Sequence, residues 1–184
     1  RNPLEIIDIS DLFAQTDFAP FRGKTVRALN VPGCASQPKS FFENMLKFAT
    51  EIGMKGLGYV KVTDDMSFQG PIDKFLTAAD RQELIRRAGL VPGCVLYFIA
   101  DSKELAPKLA GQIRTEVANR LHLIDEDRFE FCFVVDFPMY ELDEETGKVA
   151  FTHNPFSMPQ GGLQALETMD PLDILAYQYD IVCN

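Results

Sequence analysis

The sequence has little of what metal and nucleophile sites are built from. Its 184 residues include two histidines, His122 and His153, and four cysteines, Cys34, Cys94, Cys132 and Cys183. None of the cysteines forms a CxxC pair, so a zinc site has nothing to build on. No Ser/His/Asp or Cys/His nucleophile set can be assembled from sequence order. Long apolar runs are also missing. The longest, residues 94–100, falls far short of the roughly 20 residues a bilayer-spanning helix needs. Cations are scarce as well: 18 Lys and Arg stand against 27 Asp and Glu, a net charge of −9. That balance argues against a general nucleic-acid binder, whose affinity comes from cations neutralising phosphates. There is no starting Met and no charged-then-apolar leader, so the chain reads as an internal piece of a longer one.

What remains is ordinary globular material, with 46% hydrophobic and 24% charged residues, enough for a real core. Residues 10–13 read as a capped helical turn, and residues 25–31 as a strand stopped by Pro32-Gly33. Phe41, Phe42, Met45, Leu46, Ala49 and Ile52 recur at helical spacing before Gly53. Residues 56–62 read as a second strand, 63–70 as a loop, and 71–76 as a short extended stretch. Thr77 and Asp80 form a capping-box pattern opening a helix that closes at Gly89. Residues 94–100 predict a buried strand. Asp101 and Glu104 then cap a long helix carrying Leu105, Leu109, Ile113, Val117 and Leu121. The alternation predicts an α+β fold: a two-layer sandwich with a roughly four-stranded, largely antiparallel sheet, whose helices can all cover one face.

The character changes after His122. An acidic break leads into a new strand at 129–137, a short strand at 149–152, a Pro/Gly-rich loop at 154–162 and a last strand at 177–183. These pieces lack the apolar periodicity to close a second core, and read as part of a sheet whose other strands lie elsewhere. The expected division is residues 1–125 and 126–184. Cys94 and Cys132, inside apolar strand-like runs, are expected to be buried reduced thiols, which suits a reducing cytoplasm.

Few residues stand out for chemistry. His153 lies in a loop dense with turn residues, where binding groups are often mounted, and an imidazole there can donate to a carboxylate; a plain surface histidine reads equally well. His122 at a helix end suits the helix dipole. Asp136 sits at a strand end, either as a site carboxylate or as a turn former. Arg81, Arg86, Arg87, Lys103, Lys108, Arg114 and Arg120 gather between residues 81 and 120; they read as solvated helix faces, with a local nucleic-acid contact as the sharper option.

Three stretches narrow the field. Val134-Val135-Asp136-Phe137-Pro138-Met139-Tyr140-Glu141, then Thr152-His153-Asn154-Pro155-Phe156-Ser157, then Tyr179-Asp180-Ile181-Val182-Cys183-Asn184 resemble the stretch of bacterial-type aspartyl-tRNA synthetases just before class II motif 3. Residues 1–125 resemble the GAD insertion domain those enzymes place between motifs 2 and 3. The likeness rests on the segment from Arg27 to Gly33, on Lys55-Gly56-Leu57-Gly58-Tyr59, on Lys74-Phe75-Leu76 and on the strand from Val95 to Ala100.

The resemblance implies an aspartate–tRNA ligase (an aminoacyl-tRNA synthetase) that uses ATP with Mg2+ to activate L-aspartate and transfers it to tRNA in protein biosynthesis. It implies a cytoplasmic homodimer with no membrane contact, and a piece of it that is inactive alone. It assigns His153 to contact with the amino-acid substrate, and implies no cofactor-binding residue in this stretch, since the Glu that serves ATP follows the position of Asn184. Asn154 stands where the family often has a second histidine, which removes a chargeable group. The competing expectation is an autonomous tRNA- or protein-interaction module of amidotransferase type.

Overall fold

The computed structural model describes residues 1–143, 145–152 and 155–183. They form two compact units, Asn2–Asp125 and Glu126–Asn184, the latter together with Arg1.

The larger unit is built on a sheet ordered β1-β2-β5-β3-β4. Its strands are β1 (Ile6–Asp8), β2 (Thr25–Val31), β3 (Gly58–Val62), β4 (Phe68–Gln69) and β5 (Val95–Asp101). Every neighbouring pair is antiparallel, and β2 runs against β5 along its whole length, from Thr25↔Asp101 to Val31↔Val95. The helices are α1 (Lys39–Glu51), α2 (Ala78–Ala88) and α3 (Leu105–Arg120). The α+β class and the antiparallel sheet are as the sequence predicts.

β5 explains the layering. Val95, Tyr97 and Ile99 pack with Met45 of α1 and Ile113 and Val117 of α3, while Leu96 and Phe98 pack with Leu84 of α2, Phe13 and Phe21. Successive strand residues point to opposite faces, so an unbroken apolar run needs cover on both. Here α1 and α3 cover one face and α2 the other, with Phe13 and Phe21 beside it, so the helices do not all lie on a single face. The sheet has five strands against the expected four: β1 and β4, too short to carry a periodic signal, are added, and the stretch at 71–76 is not among them. The stretch at 71–76 is not extended: Asp73–Phe75 is a 3-10 turn, with the Phe75 ring stacked 3.9 Å from Phe18.

Local chemistry sets the element ends. Thr77 and Asp80 make the capping box, with Asp80 N donating to Thr77 Oγ1 at 3.1 Å and Thr77 N donating to Asp80 Oδ2 at 2.8 Å. Gly89 closes α2 in the left-handed region at φ +57°. The expected cap of α3 is displaced: Glu104 makes no side-chain cap, and Ser102 Oγ accepts from Leu105 N at 3.2 Å instead. Arg114 on α3 ties down the N-terminal segment, donating to the Leu4 and Asn2 carbonyls at 2.5 and 2.8 Å.

The smaller unit contains two ribbons, β6 (Phe131–Val134) with β9 (Asp180–Cys183) and β7 (Tyr140–Leu142) with β8 (Val149–Phe151), plus a short helix α4 (Gly162–Thr168). Among the described residues its buried cluster is Met139, Ile174 and Ala176, with Tyr140 packed against them. All eight residues of β6 and β9 are exposed, Phe131, Phe133 and Ile181 by 63% or more. Cys132 is therefore exposed rather than buried as expected, because β6 is paired with β9 alone among the described residues and no layer covers it; Cys94 is buried. No described helix is long and apolar enough to cross a membrane.

Candidate functional site

The loop after β8 is where sequence reasoning placed the substrate contact. His153 and Asn154 themselves lie outside the described residues, and the residues on either side of them lie within that set. On one side, Thr152 N donates to the Met139 carbonyl at 3.3 Å and the Thr152 hydroxyl donates to Pro138 O. On the other side the chain pairs with the segment that leads into β9. Tyr177 N donates to Met158 O at 2.9 Å, Gln160 N donates to Leu175 O at 2.8 Å, and Ser157 Oγ lies 3.3 Å from Gln178 Oε1. The same segment is laid against the end of β6, with Ala176 N donating to Phe137 O at 2.7 Å.

Asp136 joins these strands by its side chain. Its backbone is left-handed at φ +58°, a conformation that aspartate tolerates better than most residues because its short carboxylate bonds locally. Gln160 Nε2 donates to Asp136 Oδ1 at 2.7 Å and to the Ala176 carbonyl at 3.2 Å. Asp136 thus makes a turn, with a side-chain partner that sequence order could not supply. Gln160, Ser157 and Gln178 were missed. The one signal for Gln160 is its place between Pro159 and Gly161-Gly162, whose φ values of +80° and +61° turn the chain into α4.

The basic residues between 81 and 120 do not make one face. Arg81, Arg86 and Arg87 belong to α2, and Lys108, Arg114 and Arg120 to α3, on opposite sides of the sheet. Arg81 pairs with Asp73 at 2.8 Å, Arg120 with Glu116 at 2.6 Å, and Arg86 with Glu83 at 2.5 Å. Arg87 holds Glu83 at 2.6 Å and grips Asp11 in two-pronged fashion at 2.6 and 2.7 Å. Arg86 and Arg87 together hold the Glu83 carboxyl down at about 2, and Arg87 also lowers Asp11. The charge itself is unevenly divided: residues 2–125 carry fifteen basic and fifteen acidic residues, residues 126–184 two and twelve. His122 follows α3 at φ +53°, its backbone N–H bonded to Asn119 O at 3.1 Å.

Residues 19–110, half of the chain, match the GAD domain. The chain belongs to the GAD-domain family. The GAD match lies wholly within the unit of the five-stranded sheet, from the turn before β2 to the middle of α3. Similarity to longer proteins continues through the second unit. The whole chain is 52% identical to an aspartate–tRNA ligase of Streptomyces avermitilis and 53% identical to one of Streptomyces griseus, covering 31% of each. It is 47% identical to an aspartate–tRNA(Asp/Asn) ligase of Rickettsia bellii, covering 32% of that protein. This GAD-containing chain therefore spans about a third of the length of the curated relatives it matches.

Proposed function

We propose that the chain is part of an aspartate–tRNA ligase, an ATP-dependent enzyme that activates L-aspartate and transfers it to tRNA. The observation that carries this is collinear identity of about one residue in two across both units, with no part of the chain left unmatched. Residues 1–125 are then the GAD insertion, and residues 126–184 a stretch of the class II catalytic domain that needs the remaining strands of its sheet. The exposed β6–β9 ribbon and the three-residue buried cluster among the described residues of the second unit support that division.

In this reading His153 donates a charge-assisted hydrogen bond to the substrate carboxylate. ATP and Mg2+ belong to the intact enzyme. Among the described residues no three His, Cys, Asp or Glu stand together as a metal site, so no step of that chemistry is assigned to them. The piece alone is inert; the intact enzyme is a cytoplasmic homodimer. The autonomous tRNA-binding module is the weaker reading, since the domain's cations are matched one for one by acids and divided between two faces.

The test is aspartate-dependent pyrophosphate exchange by the full-length protein. His153→Ala is expected to weaken aspartate activation by about 1.5–3 kcal/mol, the range for a hydrogen bond to a charged group. Unaltered activation kinetics would remove the assignment of His153, and a full-length protein with no aspartate-dependent exchange would remove the ligase reading.

A further inference from the structure

We propose that Asp136 and Gln160 are a positioning pair for amino-acid binding, holding residues 157–160, which follow the assigned His153 in sequence, against the strand entering β9; the inference rests on the ligase reading above. Three segments meet at this pair. Gln160 spends one amide donor on Asp136 Oδ1 and reaches the Ala176 carbonyl with the same nitrogen, so its side chain fastens the end of β6 to the strand entering β9. Its own backbone N–H is bonded to Leu175 O, which fixes the amide's origin. Asp136 contributes a left-handed residue, a conformation that costs roughly 1 kcal/mol or more in a side-chain-bearing residue and persists where surrounding contacts hold it.

Most of the other ties here are backbone to backbone and are indifferent to side-chain identity: Tyr177 N to Met158 O, Ala176 N to Phe137 O, Thr152 N to Met139 O. These fasten residue 152 at one end and residues 158–160 at the other. The Asp136–Gln160 contact is exposed, so its net worth to folding is small. What it decides is register, namely how far the 157–160 strip can slide along residues 174–177. A shift of about 1 Å in a substrate-contacting loop is enough to cost on the order of a hundredfold in a reaction, so a modest slackening shows first in substrate binding.

The experiment uses the full-length protein in aspartate-dependent pyrophosphate exchange, with KM for aspartate and for ATP measured separately. Gln160→Ala and Asp136→Ala are each expected to raise the aspartate KM about tenfold while leaving the ATP KM in place. The double variant is expected to be no worse than either single one, because each change alone already opens the contact. Asp136→Asn keeps an acceptor oxygen and a residue at ease in the left-handed region, so it is expected to restore most of the aspartate affinity. An unchanged aspartate KM in either alanine variant overturns the proposal, as do multiplying effects in the double variant or a parallel rise in the ATP KM. His153→Ala separates the two claims. If it leaves activation intact, the site reading itself has failed; if it impairs activation and Gln160→Ala does not, only the positioning role has failed.

Discussion

At Gly70 the chain takes φ +150°, and a Cβ added there would stand 2.5 Å from the Tyr59 carbonyl oxygen and 3.1 Å from Val60 Cα. Those obstacles are backbone and belong to β3, so they cannot step aside. Gly70→Ala is expected to destabilise the larger unit by about 1–3 kcal/mol in urea denaturation. Gly58→Ala is the control. Its Cβ would meet Ile72 Cδ1 at 2.6 Å and Cγ1 at 2.8 Å, atoms of a buried side chain, which can shift where backbone cannot. Glu83 gives a pH prediction at the same scale. Its carboxyl is pushed down to about 2 by Arg86 and Arg87. A lowered folded-state value means stability that is complete above the unfolded carboxyl's value, near 4.3, and is lost as pH falls toward 2. Thermal melts between about pH 4.5 and pH 2 are expected to fall less steeply for Glu83→Gln than for the native sequence. The Glu83–Arg86–Arg87 spacing is readable along a helix, whereas the Asp11–Arg87 grip, which spans 76 positions, becomes visible only once the 3-10 turn at Ser10–Phe13 and α2 share a face.

Among the elements, α2 was the most fully written in the sequence, from its capping box to Gly89. Thr77→Ala removes the box and is expected to cost about 1 kcal/mol. Leu84, fully buried beneath the helix, is worth more: Leu84→Ala is expected to cost about 2–5 kcal/mol, read from the urea midpoint at unchanged slope. Where α2 lies was less legible, although the clue was present. Residues 95–99 are apolar without alternation, and such a run calls for cover on both faces of the sheet. β1 and β4 were not legible, since three and two residues define no period. Residues 71–76 read as extended because Pro71 and three apolar residues, Ile72, Phe75 and Leu76, suggest a strand. The 3-10 turn wins through Phe75 stacking on Phe18, a contact that depends on the loop after the first turn. Asp136 could be seen as a strand-end residue, but its partner Gln160 is 24 positions away and no local rule links them.

For the whole chain, the division of charge and core between the units makes the next predictions. The larger unit has its own two-sided core and a balanced surface. Residues 2–125 alone are expected to unfold in one cooperative transition and to show no salt-sensitive affinity for tRNA, checked by titration at two salt concentrations. A thiol count separates the units as well. Cys132 and Cys183 are exposed and are expected to react at once with an aromatic disulfide reagent. Cys94 is buried, and burial pushes the Cys34 thiol up to about 11, so these two are expected to react only on unfolding.

The β6–β9 ribbon also has a consequence in time. β6 spans Phe131–Val134 and its partner begins at Asp180, so on the ribosome the first strand is made some 46 residues before the second. At about 5–20 residues per second, that is a wait of roughly 2–9 seconds with the backbone of β6 unpaired by β9. The larger unit, complete by Asp125, has that interval to fold, while the aromatic strand behind it is the segment a nascent-chain chaperone would meet.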